Sequence, residues 1–430
     1  MRRRAGQGIA TALLCAAIAA ACGGGSDDGP DVSAKASERV STTIAPPPTD
    51  STGPIGTPPP ADPSTTTPAS TTAPPSTVAA TTTTTTTVTT ATTVPTTGLV
   101  ACAAALPLRD RIALLVWPAV YSVDWETAVR TVEQHQVGGV ILMEPDGWSA
   151  GDVAPSLAQL DAAATRGLVI ATDEEGGAVQ RLAILGVLPS QQDVSEGRTV
   201  DEARELIAAH GRALAEAGVD MALGPVVDVV PENGEVPLTR SRFFTGGPAA
   251  VAEFGRAYVE GWQAGGLEPV LKHYPGHGAA SGDTHDEAGV TPGLAVLERW
   301  DLMPYRSLAD TGVAVMVGHL TVPGLTGDVP ATQSGRAVSY LREDLGYGDT
   351  LLITDALGMQ AVGLPEDVAA VRALAAGIDV VIFTATAQTG PVIDAIERAV
   401  VDGTLSDDGV TESAARVLRR LDTGRTGCGK

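Results

Sequence analysis

Positive charge is scarce in this 430-residue chain: 28 Lys and Arg stand against 51 Asp and Glu, a formal net charge of −23. Such a chain repels nucleic-acid phosphates, and no basic stripe compensates, which argues against a nucleic-acid role. Cysteine is scarce too, at four residues, and histidine at six. After the first 21 residues no apolar run is long enough to expect a membrane span. No Gly-x-Gly-x-x-Gly follows the first β-branched run of the globular region, so the phosphate-cradling turn of a dinucleotide-binding sheet is missing.

What is present divides the chain into three parts. Residues 1–21 read as a signal peptide: Met1-Arg2-Arg3-Arg4, an apolar segment from Ile9 to Ala21, and small residues Ala19-Ala20-Ala21 before Cys22. The cysteine after small residues resembles a bacterial lipobox, which implies cleavage before Cys22 and lipid attachment to it. Ala19 departs from the Leu, Val or Ile usual three positions earlier, so plain secretion is the alternative. Residues 22–98 are rich in Thr, Pro, Ser and Ala, with an unbroken Thr81–Thr87 run. Such a segment buries too little apolar surface to offset its ordering entropy, so it is expected to be a disordered tether. Its coil span would be roughly 50 Å. In an exported protein, a disulfide between Cys102 and Cys428 would tie the third part nearly end to end, stabilising by up to ~4–5 kcal/mol. Two unrelated thiols are the alternative.

Residues 99–430 alternate between two periodicities. Apolar, β-branched runs occur at 112–117, 139–143, 168–172, 221–230, 269–272, 313–318, 350–354 and 380–384. Helical patterns lie between them, for example at 125–136, 201–217, 251–261, 295–309, 367–376 and 391–401. Eight buried-type strands alternating with helices predict an α/β fold, a (β/α)8 TIM barrel. A doubly wound open sheet is the alternative.

Active sites of such barrels lie at the C-terminal ends of the strands. There the sequence places Asp173 after the third run, Lys272 and His273 after the fifth, His319 after the sixth and Asp355 after the seventh. Lys272 also opens a stretch of small residues, Pro275 to Gly282, ending in Asp283-Thr284-His285. Three of the six histidines fall here. Asp355, carried on a central strand, suits a nucleophilic or ion-stabilising carboxylate. Asp283 would accept from one ring nitrogen of His285 and leave the other to exchange protons. Lys272, His273 and Arg242 carry donors for sugar hydroxyls, and Asp173 a carboxylate acceptor.

With those residues in view, the region strongly resembles glycoside hydrolase family 3, and within it the bacterial β-N-acetylglucosaminidases of the cell-wall recycling type. The likeness runs from Gly138-Gly139-Val140-Ile141-Leu142 through Asp173–Arg181, Ser241-Arg242-Phe243-Phe244 and Lys272–His285 to Met316-Val317-Gly318-His319, 341–346 and 353–359. It implies Asp355 as the nucleophile of a retaining reaction and His285 as acid/base with Asp283 as dyad partner. It further implies Asp173, Arg242, Lys272, His273 and His319 as residues holding N-acetylglucosamine. The β-glucosidase branch lacks the Asp-x-His loop, so the resemblance points to N-acetylglucosamine. Glu174 and Ala178 depart from a family in which Gln and Arg are usual.

The expectation is therefore an exported, membrane-anchored or secreted monomer that trims GlcNAc from muropeptides or other peptidoglycan-derived saccharides, with no metal or other cofactor. A phosphorylase on the same glycosides is the near alternative. A metal-dependent amidohydrolase-like barrel, which wants a His-x-His where Val116-Trp117-Pro118 stands, and a non-catalytic cell-wall-binding lipoprotein are the distant ones.

Overall fold

Eight short parallel strands close on themselves in a computed structural model that describes residues 96–231, 238–421 and 423–426. They are β1 (Val116–Val120), β2 (Gly139–Leu142), β3 (Val169–Thr172), β4 (Met221–Ala222), β5 (Glu268–Tyr274), β6 (Ala314–Val317), β7 (Leu352–Thr354) and β8 (Val381–Phe383). Sequential neighbours pair in parallel from β1 to β7, and β8 pairs with β1. The ring is completed by a bridge between Ile353 and Val380, with Thr354 N donating to the Val380 carbonyl at 3.0 Å. Most strand residues are buried, as expected of strands covered on both faces. This is the (β/α)8 barrel.

Three elements differ from the pattern read in the sequence. The first strand begins at Val116 rather than Ile112, because Leu108–Leu114 forms a helix behind Pro107. Ile112, Ala113 and Leu114 are buried in either state, and a short apolar run does not distinguish the two. The run 221–230 contributes only Met221–Ala222 as a strand. Pro225 has no amide for the ladder, and the chain rejoins the barrel at one bridge, Val226 to Lys272. The helix expected over 295–309 is two helices, Leu294–Leu297 and Leu302–Leu308. Pro304 sits in the first turn of the second, where its missing N–H has no helical partner to lose.

Helices form the outer layer. Val200–Ala217 starts with a capping box in which Thr199 and Glu202 satisfy each other's backbone amides. It crosses Gly247–Gly265 closely, with Gly211 against Gly265. The helix Thr96–Ala105 packs on Asp407–Leu418 and buries Leu99 and Ala103. Cys102, on that helix, is disulfide-bonded. Cys428, Cys22, the signal peptide and residues 22–95 of the tether lie outside the described residues. No helix among the described residues is long and apolar enough to cross a membrane.

The helix crossing yields a stability test. A Cβ on Gly265 would lie 2.7 Å from the Gly211 Cα, against backbone that has no rotamer to adopt. Gly265→Ala should cost about 1–3 kcal/mol, read as a lower urea midpoint with an unchanged slope.

Candidate active site

Six of the eight residues singled out at strand ends and on the loops after the fourth and fifth strands converge on one pocket of about 270 Å³: Asp173, Arg242, Lys272, His273, His285 and Asp355. Met316, Ile382 and Phe383 add apolar wall. The other two residues stand behind this surface. Asp283 backs His285, and His319 backs the segment that follows Asp355.

Burial dictates the first cluster. Glu175 is 1% exposed, and an isolated carboxylate there would be costly. It accepts from Lys272 Nζ at 2.6 Å and, in a two-point fork, from Arg242 Nε at 2.7 Å and Nη2 at 2.8 Å. Burial alone would raise its carboxyl, but the Lys272 and Arg242 charges override it and hold the group at about 2. Lys272 Nζ also donates to Asp173 Oδ1 at 2.8 Å, and Arg181 reaches Asp173 Oδ2 at 3.3 Å while pairing with Glu144. Burial pushes the Lys272 ammonium down, yet Asp173 and Glu175 more than compensate, and it stays charged. The result is a rigid patch of donors and acceptors that needs no reorganisation to meet a polar ligand.

A second buried carboxylate, Asp228, fixes His273. The imidazole Nδ1–H donates to Asp228 Oδ2 at 2.7 Å and the His273 backbone amide to Oδ1 at 3.1 Å. Nε2 is thereby presented toward the pocket, 3.4 Å from Arg242 Nη2. Burial would raise the Asp228 carboxyl, and the His273 ring and the His277 amide hold it low instead. The turn beyond β5 is tight. Gly276 has φ of 127°, and a Cβ there would lie 2.3 Å from that of Asp301.

Asp355 is half-buried at the end of β7. Its amide donates to the Val317 carbonyl of β6 at 2.9 Å, and its Oδ1 accepts from Ala356 N at 2.8 Å. Burial raises the carboxyl; the surrounding His273 and His319 rings, the Ala356 amide and Lys272 take it below the usual range. It is an anion at neutral pH. His319, 1% exposed and kept neutral by burial, donates from Nε2 to the Ala356 carbonyl at 3.0 Å and accepts at Nδ1 from Thr332 at 2.9 Å. The sequence reading put His319 on sugar. In the structure it is buried, and its ring holds the backbone beside Asp355.

The loop after β5 returns to this strand end. His285 Nδ1 donates to Asp283 Oδ1 at 2.6 Å, and its amide donates to the same oxygen at 3.0 Å. Partial burial raises the Asp283 carboxyl, but these two bonds bring it below its ordinary value. The His285 side chain is 60% exposed, so Nε2 is open to exchange a proton. Backbone amides of Gln360 and Ala361, just beyond Asp355, donate to the His285 and Thr284 carbonyls at 3.4 and 3.2 Å.

Glu175, Asp228 and Arg181 were not picked out as site residues in the sequence. Asp228 carried a signal: it interrupts Val226-Val227 and Val229-Val230, and a charge inside such a run needs a partner. Glu175 carried less, being one of two adjacent glutamates. Its neighbour Glu174 turns the other way, to His210 at 3.0 Å and the Leu182 amide at 2.6 Å.

The Glu175 clamp predicts a pH dependence of folding. Its folded-state carboxyl is depressed from the ordinary 4.5 to about 2. The stabilisation is therefore complete above about pH 4.5 and lost as pH falls toward 2. Glu175→Gln should lower unfolding free energy at pH 7 by about 3 kcal/mol. In denaturant titrations that deficit should shrink as the medium is acidified through this window.

Residues 107–420 match the family described as glycosyl hydrolase family 3 N terminal domain. The β-hexosaminidase LpqI of Mycobacterium tuberculosis is 37% identical over 340 residues, which span 76% of this chain and 86% of that protein. A glycosyl hydrolase family 3 member from Mycobacterium smegmatis superposes with a TM-score of 0.69 at 38% identity, over 74% of this chain and 98% of that one. A family 3 β-N-acetylglucosaminidase from a Paenibacillus superposes with a TM-score of 0.70 at 29% identity, over 76% of this chain and 64% of that one. The match runs through every barrel strand and every strand end that faces the pocket: the chain belongs to glycosyl hydrolase family 3 and is a glycoside hydrolase.

Proposed function

We propose that this enzyme is an exo-acting, retaining β-N-acetylglucosaminidase that removes terminal GlcNAc from peptidoglycan fragments. The observation that carries the mechanism is one pocket lined by both an ionised Asp355 on a rigid strand end and an Asp283-supported His285 on a loop laid against the segment after it. The sugar class is supported by the names of the M. tuberculosis and Paenibacillus relatives and by the Asp-x-His loop.

In the first displacement an Asp355 carboxylate oxygen attacks the anomeric carbon while the His285 imidazolium gives its Nε2 proton to the glycosidic oxygen. The carbon–oxygen bond to the aglycone breaks, leaving a glycosyl ester on Asp355, the free alcohol and a neutral ring. In the second, Nε2 takes a proton from water, the hydroxide oxygen attacks the anomeric carbon, and Asp355 leaves as carboxylate. Two inversions retain the configuration. A cationic acid attracts the nearby carboxylate, where a second carboxylate would repel it and raise one of the two acidities. The Lys272, Arg242, His273 and Asp173 cluster supplies the grip on the sugar. The leader and tether point to a site of action outside the cytoplasmic membrane, on a Cys22 lipid anchor.

Two outcomes are expected. Asp355→Ala should abolish turnover of a nitrophenyl N-acetylglucosaminide, and His285→Ala should slow it by at least ~10²-fold; near-normal rates in either would overturn the assignment. Product analysis on defined muropeptides should give free GlcNAc at the same rate with and without phosphate. Release of a sugar phosphate would identify a phosphorylase instead.

A further inference from the structure

Thr284 sits between the two members of the Asp283–His285 dyad, yet it is 1% exposed while the His285 side chain is 60% exposed. A polar residue at the centre of an open loop is buried only when something receives it. Its hydroxyl meets His277 Nε2 at 3.0 Å, and its carbonyl accepts from Ala361 N at 3.2 Å. Its methyl faces Gly289, where an added Cβ would come within 3.0 Å of it. The residue is a peg in a fitted socket.

The socket is itself anchored. His277 is 1% exposed, its ring kept neutral by burial. Its backbone amide donates to Asp228 Oδ1 at 2.8 Å, the same oxygen that receives the His273 amide. The other ring nitrogen, Nδ1, is buried with no hydrogen-bond partner among the described residues. The Thr284 hydroxyl is thus the polar partner that justifies burying this imidazole. Asp228 thereby locates His273 in the pocket and, through His277 and Thr284, the loop that carries His285.

We propose that His277 and Thr284 form a positioning pair that sets His285 in register with Asp355 for proton transfer. Neither touches substrate. The proposal rests on His285 being the acid/base, as proposed above. Displacing that imidazole by a fraction of an ångström to an ångström costs proton transfer without altering how the sugar is held, because neither His277 nor Thr284 is among the side-chain partners of Glu175, Lys272 and Arg242.

The test is kcat/KM, which reports the first displacement, across aryl and saccharide N-acetylglucosaminides of different leaving-group acidity. A dinitrophenolate departs without a proton, whereas a sugar alcohol needs one. Thr284→Val keeps shape and removes the hydroxyl. It should leave the dinitrophenyl substrate within about twofold of the unmodified enzyme and slow the disaccharide by at least ~10-fold. Inhibition by free GlcNAc should not change. Thr284→Ser should restore the disaccharide rate, and His277→Leu, which has no polar atom to offer, should behave like Thr284→Val. Equal losses on both substrates, or no loss on either, would overturn the pair's role, as would a Thr284→Ser enzyme no better than Thr284→Val. His285→Ala is the control: if it too lacks leaving-group dependence, the acid/base assignment fails, and the pair's role falls with it. If His285→Ala shows the dependence and the pair variants do not, only the positioning role fails.

Discussion

A carboxylate buried almost without solvent, Glu175, is the constraint on which the pocket depends. Taking one such charge out of water is costly, and the return comes only when cations follow it in good geometry. Lys272 and Arg242 follow it, from the end of β5 and from the loop after β4. Asp173 and Arg181 extend the alternation outward to the rim. The sign pattern along this chain of groups is positive and negative in turn, so each charge is held by its neighbours rather than by water. A sugar arriving here meets hydrogen-bonding groups already fixed in direction.

A second carboxylate, Asp228, divides the labour along β5 and its loop. On the strand, His273 is locked by its own ring and amide. Past the turn, Asp228 holds the His277 backbone, and the dyad loop is held in turn by the His277–Thr284 bond and by the Gln360 and Ala361 amides. The part that carries Lys272 and His273 is built into the barrel, whereas the loop that carries the Asp283–His285 pair is attached to it. His319 braces the Ala356 carbonyl, next to the Asp355 carboxylate.

Much of this was legible in the residues alone, and the reasons are physical. Fully buried parallel strands are continuous apolar runs, so β2, β3 and β6 announce themselves, and titratable groups immediately after such runs mark the rim. β1 was misplaced because Ile112–Leu114 is apolar on a helix as it would be on a strand. β4 was overextended because Pro225 interrupts pairing without interrupting hydrophobicity. Glu175 and Asp228 escaped notice because their work is done on other side chains. The ring direction of His319 is not legible either, since a strand-end position says that a residue is near the pocket and not which way its ring turns.

The Glu175 clamp also bears on how such an enzyme diverges. Losing Glu175 strands two cations, and losing Lys272 or Arg242 leaves a buried anion short of a partner. Each single exchange leaves a buried charge without its partner, so the three positions are energetically coupled. The loop carrying His285 is held by a different and uncharged set of contacts, through His277 and Thr284. A change of specificity on this barrel therefore costs least stability where it remodels what surrounds the clamp.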